Sequence, residues 1–192
     1  VASSSSAGEF ILARRYMRMG LWLSLIYAAL ILPFFFSAGK ILILLGQASD
    51  TSEYAENYTR IVGFGLIPAL WAMVIRFFLS GLHLTKVTLF ITLTTVLLNI
   101  PLNYVLIFGN FGFPELGVTG AAISSVIVQI ITAVSITAYA LGKLPKYKLL
   151  KRFFHFDKVA FLKVAKLGLP IGTSIVAETG LFTASSIMMG WF

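Results

Sequence analysis

The chain has 192 residues, 58% of them apolar and only 11% charged, and it contains no cysteine. That composition excludes a soluble globular domain, in which roughly a quarter of residues are charged, and its aliphatic and aromatic content excludes a disordered chain. No disulfide framework or cysteine-ligated metal centre can form, and the surplus of 15 basic over 7 acidic residues, a net charge of +8, reads as membrane topology rather than affinity for nucleic acid.

The expected class is therefore all-α, a polytopic transmembrane helical bundle. A bilayer core about 30 Å thick needs about 20 mostly apolar residues per helical crossing. Residues 1–18 form the cytoplasmic end of a preceding segment, and 19–36 make the first crossing. The stretch 41–45 is too short to cross; the polar run 47–60 after it reads as an external loop with a short helix. Three more crossings follow at 61–82, 87–109 and 120–141, so that 19–142 form one bundle of four spanning helices. Residues 143–167 read as a basic cytoplasmic linker. Within it Phe153, Phe156, Ala160, Val164 and Leu167 recur at helical spacing, the pattern of an amphipathic helix on the inner membrane face. The last apolar stretch, 168–192, reads as the first helix of a second bundle. The small polar residues 1–8 lack the basic region of a signal peptide. From a start without Met and an end inside an apolar run, the chain is expected to be a piece of something longer.

Orientation follows from the basic residues. Arg14, Arg15 and Arg18 precede the first crossing, Arg76 and Lys86 flank the second-to-third turn, and eight more basic residues lie between Lys143 and Lys166. The alternate loops hold Asp50, Glu53, Glu56 and Glu115. The first residues are thus expected on the cytoplasmic side of a multi-pass protein of the bacterial inner membrane, in contact with membrane lipids.

Polar residues inside the crossings carry the chemistry. Residues three or four apart share a helix face, so Thr88, Thr92, Thr95, Asn99 and Asn103 form one stripe. Pro101 removes a backbone donor and frees the carbonyl of Leu97. Ser125, Gln129 and Thr132 repeat the arrangement on the next helix. Such stripes serve either as hydrogen-bonded helix contacts or as the lining of a cavity, with Thr95 and Gln129 among the lining residues. Glu178 is the one acid inside a crossing, 12 residues past Lys166 and so about 18 Å into the bilayer. A carboxylate there requires a cation, a proton or a network of donors, which makes it a functional candidate; a structural salt bridge is the alternative. Ser174 and Ser185 share its face as further cavity-lining positions. The acid resembles half of a cation site, able to take sodium with oxygens from the Asn and Thr stripe, or a proton through a pKa raised by burial. No Walker-type phosphate loop and no Ser/His/Asp set is present, so the reading is a protein that is not an enzyme, needs no cofactor, and draws on an ion gradient.

Three segments carry a family resemblance. RFFLSGLHLTK at 76–86, LNIPLNYVLIFGNFGFPELGVTGAAISS at 98–125 and KLGLPIGTSIVAETGLF at 166–182 resemble the multidrug and toxic compound extrusion (MATE) transporters across their fourth to seventh helices. The resemblance covers nearly the whole chain. It implies part of a twelve-helix, two-lobe fold, with these crossings as helices three to seven. It also implies export of small cationic organic compounds, with sodium or a proton as the coupling ion and no obligatory protein partner. Glu178 matches the family's seventh-helix acid, a cation-binding and coupling residue, and so a sodium ligand in sodium-coupled members. Asn99 matches a polar fifth-helix residue that supports a cation site. Asn103 stands where other members carry Asp, and an amide cannot bind and release a proton. Weight therefore shifts to Glu178.

The resulting expectation is an exporter of cationic drugs and toxins that works by alternating access and ion antiport, with Glu178, Asn99 and Asn103 at the cation site. Two rivals stand beside it. A lipid-linked oligosaccharide flippase of the same superfamily would need cavity cations for a pyrophosphate. A non-transporting receptor or scaffold would use the stripes for packing alone.

Overall fold

The computed structural model describes residues 7–149 and 153–189. Among these no strand occurs. Six α-helices follow in order: α1 (Ala7–Phe36), α2 (Ala38–Leu44), α3 (Ser49–Gly81), α4 (Thr85–Phe108), α5 (Gly117–Lys143) and α6 (Lys158–Met189). Five of them are long and apolar enough to cross a membrane, and α2, with seven residues, is not.

Three helices run past their expected ends. Residues 7–18, expected as the end of a preceding segment, are continuous with the first crossing in α1, a helix of 30 residues. The polar stretch 49–60 is the outer part of α3, a helix of 33 residues and so about 50 Å. Its Ala, Glu, Tyr and Thr all tolerate a helix, polarity alone does not end one, and the helix runs on through Pro68. At the other end of the chain, the amphipathic segment and the last crossing fuse into one 32-residue helix, α6. Only Ala160, Val164 and Leu167 of the expected apolar face belong to it, because the helix starts at Lys158; Phe153 and Phe156 lie in the connection before it.

The helices form a row in the spatial order α6, α1, α3, α5, α4. Small residues sit at the seams, which is how helices in lipid approach closely enough for van der Waals contact to hold them. Gly120 at the start of α5 shows the limit: a Cβ there would strike the backbone carbonyl of Leu106 on α4. Gly109 ends α4 in the left-handed region at φ 69°, where a side chain is strained. Bulky side chains point away from the seams; Phe64, Phe77, Leu97 and Phe108 are all exposed. This is the inverse of a soluble domain.

The tightest packing lies at the basic end of the row. Met17 and Leu21 of α1, Ala72, Ile75 and Leu79 of α3, Ala133, Ile136 and Ala140 of α5, and Leu149 of the connection form one buried cluster. The connection closes this end. Tyr147 lies edge-on between Phe10 and Phe78, with ring centroids 4.8 and 5.6 Å apart, and Phe153 stacks on Trp22 at 5.9 Å. The aromatic residues ahead of α6 therefore seal the helical row.

Candidate functional site

The polar stripe of α4 is present on one face, but its members differ in what they do. The Thr92 hydroxyl donates to the carbonyl of Thr88, and that of Thr95 donates to Ile91 and Thr92, all within α4. These bonds satisfy buried hydroxyls locally. Asn99 and Asn103 are brought together one turn apart: the Asn103 amide donates to Asn99 Oδ1 at 2.7 Å. Asn103 Oδ1 in turn accepts from the Ser124 hydroxyl of α5. Ser124 is fully buried, so the pair is part of the α4–α5 seam. Helix α4 continues unbroken through Pro101.

Gln129 occupies the neighbouring seam, between α5 and α3. Gly65 of α3 leaves the notch it fills, since a Cβ at that position would meet Gln129 Oε1. That oxygen is buried and has no hydrogen-bond partner among the described residues. Close by in the row, the Trp71 indole donates to the Thr137 hydroxyl at 3.1 Å, a second α3–α5 link.

Glu178, Ser174 and Ser185 lie on α6, and all three are exposed. Among the helices α6 packs only on α1, so the structure does not bring Glu178 to Asn99, Asn103, Thr95 or Gln129. The candidate residues thus fall in two places. One is a polar seam within the α3–α5–α4 part of the row, and the other is a line of oxygens along α6. No guanidinium or ammonium is paired with Glu178 among the described residues; the described ion pairs are Arg15–Asp157 and Arg60–Glu56.

Three contributors escaped the reading of the sequence: Ser124, Asp157 and Gln47. Ser124 follows a run of small residues, Gly120 to Ala122, and such a run is the usual mark of a helix seam. Asp157 stands immediately before a helical pattern, the position of an N-cap. Its Oδ1 accepts the Ala160 N–H at 3.1 Å while Oδ2 accepts from Arg15. The Arg15 hydrogen bond, followed by the Ala160 N–H, holds the Asp157 carboxyl below its ordinary value of 3.8. Gln47 carries no such signal.

Long apolar helices, small-residue seams and intramembrane polar stripes define a multi-pass helical membrane protein. The family model MatE matches residues 1–105. The chain belongs to the MatE family. It is 41% identical over 99% of its length to a probable multidrug resistance protein NorM of Rhizobium meliloti, covering 41% of that protein. The corresponding protein of Agrobacterium fabrum is 40% identical over the same shares, and that of Geobacillus kaustophilus is 32% identical over the whole chain and 43% of the relative. The chain spans about two fifths of the length of the curated relatives it matches. With its five spanning helices and these bacterial relatives, it is a multi-pass bacterial membrane protein.

Proposed function

We propose that the chain is part of a secondary active exporter of small cationic organic compounds, driven by antiport of sodium or protons. The observation that carries this reading is Glu178, a carboxylate 20 residues into α6 with no described basic partner. A carboxylate at membrane depth without a fixed counter-charge favours a mobile one. The relatives' name, multidrug resistance protein, supports organic substrates. The resemblance to the multidrug and toxic compound extrusion transporters implies an ion gradient as the energy source.

Glu178 binds the ion when the cavity faces outward, and the ion displaces a cationic substrate from the same negative charge. Coupling then requires the ion and the drug to favour different conformations, because a ligand of equal affinity for both states shifts neither. Ser174 and Ser185 supply hydroxyl oxygens on the same helix, and Asn99, Asn103, Thr95 and Gln129, held apart from Glu178 in the α3–α5–α4 seams, would join the site only where the intact protein brings the two places together. Sodium would take its remaining oxygens from these groups; a proton would need only the carboxylate.

The test is efflux of a fluorescent organic cation from vesicles holding the intact protein, driven by an imposed sodium or proton gradient. Glu178→Gln is expected to abolish the dependence of efflux on the gradient while the protein still inserts. Gradient-driven efflux at the unaltered rate in that variant would overturn the mechanism.

A further inference from the structure

The start of α6 is held to α1 more firmly than any other part of that helix. Asp157 makes four bonds there. Its backbone N–H donates to the buried Met19 sulfur of α1 at 3.3 Å, and its carbonyl accepts the Phe161 N–H at 2.8 Å. One carboxylate oxygen caps α6 through Ala160 and the other takes the guanidinium of Arg15. Just before it, the Trp22 indole donates to the Phe153 carbonyl at 3.1 Å, and Phe156 meets Trp22 edge-on with centroids 6.3 Å apart. One residue thus joins the cap of α6 to the side of α1, and an aromatic pair braces it.

The opposite end is different. There the described residues show one attachment, a neutral hydrogen bond that the Gln47 amide donates to the Ile187 carbonyl at 3.1 Å. Residues 166–186 between the two attachments are exposed throughout. A charge-assisted bond combined with a cap and stacked rings outlasts one neutral hydrogen bond when a helix moves.

We infer that Asp157 is a positioning residue that fixes the basic end of α6 as a pivot on α1, with Gln47 as a releasable latch at the acidic end. Motion of α6 then swings its acidic end. Glu178 lies 21 residues from the pivot, about 31 Å along the helix, and Ile187 about 45 Å, so the carboxylate moves roughly two thirds as far as the latch. The inference deepens the proposed role of Glu178 by naming what sets its path.

Paired spin labels on introduced cysteines test it in the intact protein in lipid nanodiscs. His83→Cys with Lys163→Cys reports the basic end, and Glu53→Cys with Ser186→Cys reports the acidic end. In the unaltered background the basic-end pair is expected to give one narrow distance and the acidic-end pair a broad or split distribution. Arg15→Gln leaves the cap intact and should cost the narrow basic-end peak, as should Asp157→Asn, while Arg15→Lys keeps it. Gln47→Ala should shift the acidic-end distribution and leave the basic end unmoved. A basic-end peak that stays narrow in both Arg15→Gln and Asp157→Asn overturns the pivot, and so does an acidic end unmoved by Gln47→Ala. Because the readout is distance, loss of coupled efflux in Glu178→Gln with all distances as expected supports both readings, whereas unaltered efflux there removes only the coupling role.

Discussion

Asn103 illustrates how one side chain can belong to a candidate ion site and a helix contact together. Its amide reaches Asn99 within α4, and its oxygen takes the hydroxyl of Ser124 across the seam. Intramembrane hydrogen bonds of this kind contribute about 0.6 kcal/mol on average and up to about 1.7. Ser124→Ala should therefore lower the unfolding free energy by an amount in that range, read from denaturation in mild detergent, with efflux retained. Asp157 gives a prediction that depends on pH. Arg15 hydrogen-bonds its carboxylate and Arg18 adds attraction, so the folded value lies below the ordinary 3.8. A group depressed in this way stabilises the fold at every pH above its unfolded value, and that contribution is lost as pH falls through the folded one. Asp157→Asn should accordingly lower the melting temperature at neutral pH. The gap from the unaltered protein should close only below about pH 4. A gap that persists unchanged at lower pH would show that the charge is not what matters.

At the scale of the helix, the seams depend on the absence of side chains as much as on their presence. Gly120 allows the α5 backbone to lie against the Leu106 carbonyl of α4, and the atom a Cβ would strike is backbone, which cannot rotate aside. Gly120→Val should force the two helices apart at a cost of about 1–3 kcal/mol, the usual range for overpacking. Gly65 is a gentler case because the group in its notch is the flexible end of Gln129. There a Gly65→Ala variant should survive with Gln129 displaced. Thermal melts of the two variants side by side check the contrast, and equal losses would contradict it. The α6 helix has no such seam beyond its first turns. Gly168, Gly172 and Gly180 have no atom within 4 Å of where a Cβ would stand, so these small residues of α6 meet no neighbour among the described residues.

For the whole molecule, the division of charge sets the orientation. The ends of α1, α3, α4 and α5 that gather at Leu149 and Tyr147, with the connection to α6, carry most of the basic residues, and the α2–α3 corner carries Asp50, Glu53 and Glu56. Loops rich in Lys and Arg stay in the cytoplasm. With no cysteine of its own, the chain permits a direct check. A membrane-impermeant thiol reagent applied outside cells should label Tyr54→Cys and spare Lys146→Cys, and the reverse pattern would invert the topology. The same basic end holds the largest buried cluster, so the part of the row nearest the cytoplasm should also be the last to exchange its amide hydrogens.

How much of this was legible beforehand depends on the range of the interaction. The five crossings, the short α2 and the shared face of Thr95, Asn99 and Asn103 follow from local pattern, because hydrocarbon requires every backbone group to bond within its own helix. Glu178 stood out for the same reason: the penalty for a charge in lipid depends on depth along one helix and can be counted residue by residue. The amino-acid order therefore determined the helices, their depth and the candidate acid. It did not determine which seam each polar face would meet. Ser124 as the partner of Asn103, Gly65 as the notch for Gln129, and Asp157 as the tie between α6 and α1 join residues from 21 to 142 positions apart. Only the tertiary structure decided them, because in lipid many pairs of apolar helix faces are nearly equal in energy and a few small residues and hydrogen bonds choose among them.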